Sequence, residues 1–325
     1  MRAYIIRRLS LLIPTVFIVS LLVFFLVKIL PGDIIDAIQA QSYDVELDRA
    51  TLEKELGLDA PVMVLYGRWL GVISDKDANF SGVFQGNLGY SWMKNMSVAE
   101  LLAEKWPVTL ELGIMALILS QLIALPIGIY SALRQDTWGD YVGRSFAILC
   151  ISIPGFWLAT LVIVMPAIWW GYMPPIMLIK FTDDVAGNLR MFIFPALILG
   201  MALSGITMRM TRTMMLEVLR QDYIRTAWAK GLGERLVILR HALKNALIPV
   251  VTIVGLQIPI MIGGTVIIEE IFCLPGMGRL IISAVINRDE PIVRGIVLIL
   301  AVGLMLINIV VDLTYGFLDP RVHYK

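Results

Sequence analysis

The strongest constraint on this chain is a row of long apolar runs, at residues 9–30, 108–133, 142–170, 192–216, 247–268 and 292–313. A helix needs about 20 predominantly apolar residues to cross a hydrocarbon core about 30 Å thick, and each run is long enough. Composition agrees. The chain is 58% hydrophobic and only 16% charged, with a mean hydropathy of +0.80, whereas soluble domains carry roughly 45–50% apolar and about 25% charged residues. The expected fold class is all-α. It is a polytopic membrane protein with six transmembrane helices and a small helical external subdomain between the first and second.

Charge orients the runs. Arg2, Arg7 and Arg8 precede the first, which places the N-terminus in the cytoplasm. That run exceeds the ~7–15 apolar residues of a signal peptide and lacks a small-residue cleavage site after it. Residues 31–105 hold twelve acidic residues against six basic ones, as expected of a segment left outside. Within it, Val62, Leu65, Tyr66, Trp69 and Leu70 form a helical apolar stripe, and Gly57 is placed to terminate a helix starting from Asp48. Ser97 and Glu100 have capping-box spacing. Residues 75–86 read as a polar loop. Arg134 and Arg144 bracket one inner connection, the other at 209–244 is basic, and an even number of spans returns the C-terminus to the cytoplasm. The chain thus divides into a cytoplasmic segment with the first helix (1–30), an external subdomain (31–105) and a five-helix core (106–325).

Several chemistries are excluded by absence. Cys150 and Cys273 lie in or beside apolar runs and read as packing residues. His241 and His323 are too few for a histidine-based metal cluster, and their places at a cytoplasmic loop and the C-terminus do not suit the base of a membrane-embedded hydrolase, so no metal site, cofactor or catalytic residue is expected. No Gly-Lys pair occurs anywhere, so no phosphate-binding P-loop exists. The chain is not expected to be an enzyme, and an ATPase would have to be another polypeptide.

The most distinctive polar stretch lies between two spans. From Met208 to Ala246 there are eight basic residues, opposed only by Glu217, Asp222 and Glu234. Inside it, Tyr223, Ile224, Ala227, Trp228, Gly231 and Leu232 recur at helical spacing and place an apolar stripe on one face. Such a basic amphipathic helix suits docking to a soluble partner or lying on lipid headgroups. Ionisable and amide groups within spans normally face protein or water. Glu111, Gln121, Gln257, Asn308 and Asp312 are therefore candidates either for a solute pathway or for structural hydrogen bonds. Pro154-Gly155, and Pro259 with Gly263 and Gly264, are expected to kink or loosen their helices, with gating or packing as the reason. Glu269 and Glu270 are expected in an outer loop, meeting a binding protein or simply solvated.

The stretch Tyr223-Ile224-Arg225-Thr226-Ala227-Trp228-Ala229-Lys230-Gly231-Leu232, followed by Arg240-His241-Ala242-Leu243-Lys244-Asn245-Ala246, resembles the cytoplasmic loop of bacterial ABC importer permeases. More specifically it is similar to the oligopeptide/dipeptide/nickel branch. Leu30-Pro31-Gly32-Asp33, Glu55-Leu56-Gly57-Leu58-Asp59-Ala60-Pro61, Ser152-Ile153-Pro154-Gly155-Phe156-Trp157, Pro275-Gly276-Met277-Gly278 and Leu318-Asp319-Pro320-Arg321 match in the same order. Three departures stand out. Arg225-Thr226-Ala227 occupies the position of the wider family's Glu-Ala-Ala, Asn87 stands where this branch usually has Asp, and residues 74–85 look inserted.

The resemblance implies that the helix within residues 217–246 couples to an ATPase through Tyr223, Ile224, Ala227, Trp228, Gly231 and Leu232. It further implies a second homologous permease chain, two ATPase subunits that bind ATP and Mg, an external substrate-binding protein and surrounding membrane lipid. No nucleic-acid partner is implied. The expected function is a permease subunit of an ATP-driven importer for short peptides in the bacterial inner membrane, working by alternating access. The alternatives are a self-sufficient secondary transporter, or the same scaffold carrying nickel or another small solute.

Overall fold

The computed structural model describes residues 2–29, 32–41, 48–74, 79–171, 175 and 177–318. Among these, five helices are long and apolar enough to cross a membrane: Ile6–Ile29, Val98–Leu133, Val185–Leu219, Glu234–Ile271 and Glu290–Leu313. The sixth span expected from the sequence, residues 142–170, is broken. Helices Trp138–Ser152 (α6) and Gly155–Trp170 (α7) meet at 92°. Ile153 is extended (ψ 122°) and Pro154 follows at φ −63°, ψ 125°. A proline ring disfavours helical geometry in the residue before it and brings no N–H to the ladder. The expected kink at Pro154-Gly155 is therefore a full break, and one run supplies two helices pointing in different directions. Pro259 acts differently, lying inside the uninterrupted helix Lys244–Ile271 (α11).

The chain forms two compact units. One is Met1–Pro107 with Gly276–Leu306; the other is Val108–Pro275 with Ile307–Lys325. Helix α5 (Val98–Leu133) carries the chain from the first into the second. It begins ten residues before the apolar run, directly after Ser97. Its 36 residues rise about 54 Å at 1.5 Å each, more than the ~40–45 Å of a whole bilayer. The expected external helix and the expected second span are thus a single rod.

In the first unit, α1 (Arg2–Ile29) is packed by α4 (Val62–Leu70). The predicted stripe on α4 is the reason: Tyr66 and Leu70 are buried against Phe24, and the Ser20 and Tyr66 hydroxyls hydrogen-bond at 2.8 Å. Tyr66 meets Phe24 edge-on with ring centroids 5.2 Å apart. Lys28, the charge inside the first apolar run, is paired with Glu290 at 3.0 Å on α13 (Glu290–Leu318). Glu290 also receives Arg294, whose guanidinium lies 4.2 Å from the Phe24 ring centroid. Helix α3 (Arg49–Glu55) ends as the sequence predicts. Gly57 adopts φ 73°, and the Leu58 N–H reaches the Glu53 carbonyl at 2.8 Å, closing a Schellman motif.

Arg49 ties α3 to α2 (Ile34–Gln41) by pairing with Asp33, Asp36 and Glu53. The Asp33 N–H and then Arg49 hold the Asp36 carboxyl below its ordinary range. That contribution is present above the unfolded value, near pH 4, and is lost as pH falls through the lowered one. Part of the segment read as an insertion is stitched back to α4. Gln85 Nε2 donates to the Gly71 carbonyl at 3.1 Å, and Asn87 Nδ2 to Ser81 Oγ at 2.8 Å. Asp44, Glu46, Asp319, Pro320, Arg321, His323 and residues 75–78 of the expected loop lie outside the described residues.

In the second unit, α8 (Val185–Leu219) is the central element, packed along α11 on one side and α5 and α6 on another. A Cβ at Gly200 would lie 2.6 Å from the Ala116 carbonyl oxygen of α5, and one at Gly205 2.7 Å from that of Ala147 on α6. With lipid as apolar as the side chains, this close approach of backbones supplies the van der Waals contact that holds the helices together. Gly200→Ala is therefore expected to destabilise the protein by about 1–3 kcal/mol through overpacking. Gly263→Ala, where the same Cβ meets nothing within 4 Å, should stabilise α11 by about 0.5–1 kcal/mol through helix propensity. Thermal unfolding midpoints of the two variants in detergent should move in opposite directions.

Candidate functional site: the loop between α8 and α11

Helix α8 ends at Leu219 and the chain turns into the short helix α9 (Asp222–Ala229). Ile224 is fully buried and Ala227 is 7% exposed, packed among Ala132 of α5, Met215 of α8, and Val237, Ala242 and Ala246. Tyr223 and Trp228 are each 43% exposed, with Arg225 and Lys230 also outside. Leu232 is half-buried against the same cluster. The six residues singled out as one apolar stripe thus divide. Ile224, Ala227 and Leu232 hold α9 to its own chain, while Tyr223 and Trp228 at the edges of the stripe are half-exposed and Gly231 is exposed. Helix α9 is seated on the chain's own core, and what it leaves half-open is one aromatic ring at each edge of its stripe with cations nearby.

Gly231 follows the C-cap with φ 76°, in the left-handed region, and a Cβ there would meet nothing within 4 Å. Its constraint is the backbone, since L side chains are strained at that φ even in open space. Beyond it, α10 (Glu234–Leu236), π-helical turns at Val237–Leu243 and α11 form one continuous rod, Glu234–Ile271. Asn245 closes the loop on itself. Its Nδ2 donates to the Tyr223 hydroxyl at 2.9 Å and to the His241 carbonyl at 3.1 Å. His241 is half-buried, and its recorded role is that carbonyl.

A second feature near the same end of α8 was missed in the sequence. Arg212 of α8 meets Asp140 of α6 in a bidentate pair, Nε and Nη2 each 2.7 Å from a carboxylate oxygen. Asp140 is completely buried and also accepts from Ser131 Oγ and from the Asp136 N–H, the latter at 3.0 Å. One carboxylate therefore joins α5, the α5–α6 turn, α6 and α8. The available signal was an Arg inside the apolar run 192–216, since a charge buried among apolar side chains needs a partner. Removing one member leaves the other uncompensated. Asp140→Asn is expected to cost about 3–5 kcal/mol, read as a lower thermal midpoint, and Asp140→Glu should lose less.

The pathway candidates are dispersed. Gln257 is buried, and its Nε2 donates to the Leu203 carbonyl and to Thr207 Oγ1, both at 3.0 Å, which ties α11 to α8. Glu111 and Gln121, ten residues apart on α5 and hence about 15 Å along its axis, each keep a buried side-chain oxygen without a partner among the described residues. Asn308 is exposed on α13 and Asp312 is half-buried. Gly264 is packed toward Leu199 of α8, whereas Gly263 opens to space. The expectation for Glu269 is corrected: it is fully buried in the last turn of α11 and accepts from Thr109 Oγ1 at 2.7 Å, while Glu270 is exposed. A cavity of about 700 Å³ beside α7 and α8 is lined by apolar groups such as Val162, Pro166, Trp169 and Phe194, with Arg190 as its one charged side chain.

Comparison with known proteins matches this architecture. Residues 124–324 fit the family described as binding-protein-dependent transport system inner membrane component, and residues 1–113 fit the N-terminal region of such components. The chain is 40% identical over 327 residues to a putative peptide transport system permease protein of Brucella suis biovar 1, covering 100% of both chains. It is 36% identical over 322 residues to the glutathione transport system permease protein GsiC of Salmonella typhimurium, covering 99% of each. Among solved structures, an inward-facing form of the MetNI methionine ABC transporter superposes with a TM-score of 0.55 at 16% identity. That match covers 67% of this chain and 96% of that one, and it concerns the fold alone. An all-helical polytopic fold, a seated loop helix and matches along nearly the whole chain together place this protein in the family of binding-protein-dependent transport system inner membrane components, as a permease subunit of an ABC importer.

Proposed function

We propose that this permease carries short peptides across the bacterial inner membrane. Its loop helix α9 receives the motion of separate ATPase subunits, which hold the ATP and Mg. The assembly also needs a second related permease chain and an external substrate-binding protein, and both termini of this chain lie in the cytoplasm. The observation that carries the reading is that the α9 stripe is only partly covered: Ile224 and Ala227 at its centre are packed into the chain's own core, while Tyr223 and Trp228 at its two edges are each 43% exposed. A helix held through the centre of its stripe, with aromatic rings left half-open at both edges, suits insertion into a partner's groove, where aromatic anchors carry most of the binding energy. The basic residues around it set orientation and encounter rate.

The seating also supplies a route for force. Displacement of α9 acts on α8 through Met215, on the π-helical turns through Val237 and Ala242, and on α11 through Asn245. Rocking of α8 and α11 then alternates access to a central pathway. The peptide substrate is supported by the names of the relatives, and the loop motif argues for ATP-driven import over ion-coupled uptake by the chain alone.

The test is reconstitution of the chain in vesicles with candidate ATPases, the second permease and peptide-loaded binding protein. Uptake should require ATP and every component; ATP-independent uptake by this chain alone would sink the proposal. Trp228→Asp should leave membrane insertion and thermal stability intact, because Trp228 adds little to the chain's own core. It should lower uptake at least tenfold, as expected when a hot-spot side chain worth about 2 kcal/mol or more is lost. Gly231→Trp should also abolish coupling, but with a lower thermal midpoint, since it forces a side chain onto φ 76°.

A further inference from the structure

The end of α8 that carries Arg212 also borders a narrow cleft, about 20 Å³, between α5, α6 and α8. Three arginines line it: Arg144 of α6 with Arg209 and Arg212 of α8. Arg212 is neutralised by its bidentate bond to Asp140. Arg144 and Arg209 are exposed and form no ion pair among the described residues; the recorded neighbour of the Arg144 guanidinium is the Tyr141 ring, 5.6 Å away. Asp136, the other carboxylate of the adjoining turn, is engaged by Gln135 Nε2 at 3.1 Å. Two cations on adjacent helices thus flank one cleft, while its buried carboxylate is already committed.

We propose that Arg144 and Arg209 form a binding site for the phosphate of an anionic phospholipid, in the leaflet bordering the loop end of α8. The cleft has room for little more than a water-sized group, so it admits headgroup oxygens and excludes an acyl chain. The chains have their own surface. Ile148, one turn beyond Arg144, is 57% exposed, and Ile206, one turn before Arg209, is 38% exposed. On both α6 and α8 an exposed apolar side chain thus lies one turn from the arginine on the side leading away from the loop. Trp138 and Tyr141, 81% and 49% exposed on the first turn of α6, are the amphipathic rings that mark a membrane–water interface. A docked protein would explain the arginines, but it would not explain the exposed apolar side chain one turn from each of them. Basic pockets between spans near an interface suit anionic headgroups. The site is separate from α9 and does not depend on what the permease transports.

The test is native mass spectrometry of the full chain in detergent, with equal amounts of phosphatidylglycerol and phosphatidylethanolamine bearing the same acyl chains. Wild type should retain the anionic lipid preferentially. Each of Arg144→Gln and Arg209→Gln should lower that preference about fivefold, and the double variant should bring it to parity. Arg144→Lys with Arg209→Lys should keep part of the preference, so the test stands even if the glutamine pair fails to fold. Arg235→Gln with Arg240→Gln, cations of the loop outside the cleft, should change nothing. Equal lipid retention by wild type and the single glutamine variants would overturn the proposal. Displacement of the lipid by inorganic phosphate at equal concentration would also overturn it, by showing a free-anion site. So would loss of ATPase co-purification with lipid binding unchanged, which would make the cleft a protein contact.

Discussion

A buried ionisable side chain that does not find its partner within the protein costs several kcal/mol, and this constraint accounts for much of the structure. Several charges that interrupt apolar helices mark places where two helices are joined. Lys28 and Arg294 converge on Glu290 in one unit. In the other, Arg212 grips Asp140, and Thr109 donates to the buried Glu269. The attraction is strong because the surroundings are poor in water, and the same surroundings make either partner alone a liability. Apolar packing alone would let lipid compete for each helix face, whereas these pairs specify which helices meet.

Asp140 shows how such a join serves position as well as stability. It orders the α5–α6 turn through the Asp136 N–H and fixes Arg212 seven residues before α8 ends. The foot of α8 is then a fixed point from which α9 departs, and α9 is seated in turn by Ile224 and Ala227. The loop is backed by a small core of Ala132, Met215, Val237, Ala242 and Ala246, which packs α9 against α5, α8 and the turns that follow it.

The segment Ile153-Pro154-Gly155 works on a larger scale. A run of 29 residues, 142–170, has more than the length needed to cross a bilayer, yet the extended pair Ile153-Pro154 divides it into two helices at 92°. The opposite outcome occurs in α5, where the sequence suggests an external helix and a separate span but the chain continues without a break through Pro107. Local chemistry alone does not separate these cases. Both involve a proline in an apolar context, and whether the helix resumes in line depends on what packs around the missing hydrogen bond.

The sequence by itself determined the class of fold, because run length and hydropathy are set by the thickness of the hydrocarbon core and need no tertiary information. It also determined the loop helix, the Gly57 terminator and the stripe on α4, since each is a local pattern of spacing or backbone freedom. The absence of a phosphate loop is equally local. Only the tertiary structure decided which of Tyr223, Ile224, Ala227, Trp228 and Leu232 face inward, because burial depends on Met215, Val237 and Ala246, which lie far away along the chain or beyond the turn. It also decided that Gln257 is a tie between α11 and α8, that Glu269 is buried, and that Asp140 belongs to Arg212. These are pairings between helices separated by tens of residues. Periodicity shows that a face is apolar or polar; it does not show which face of which helix lies opposite.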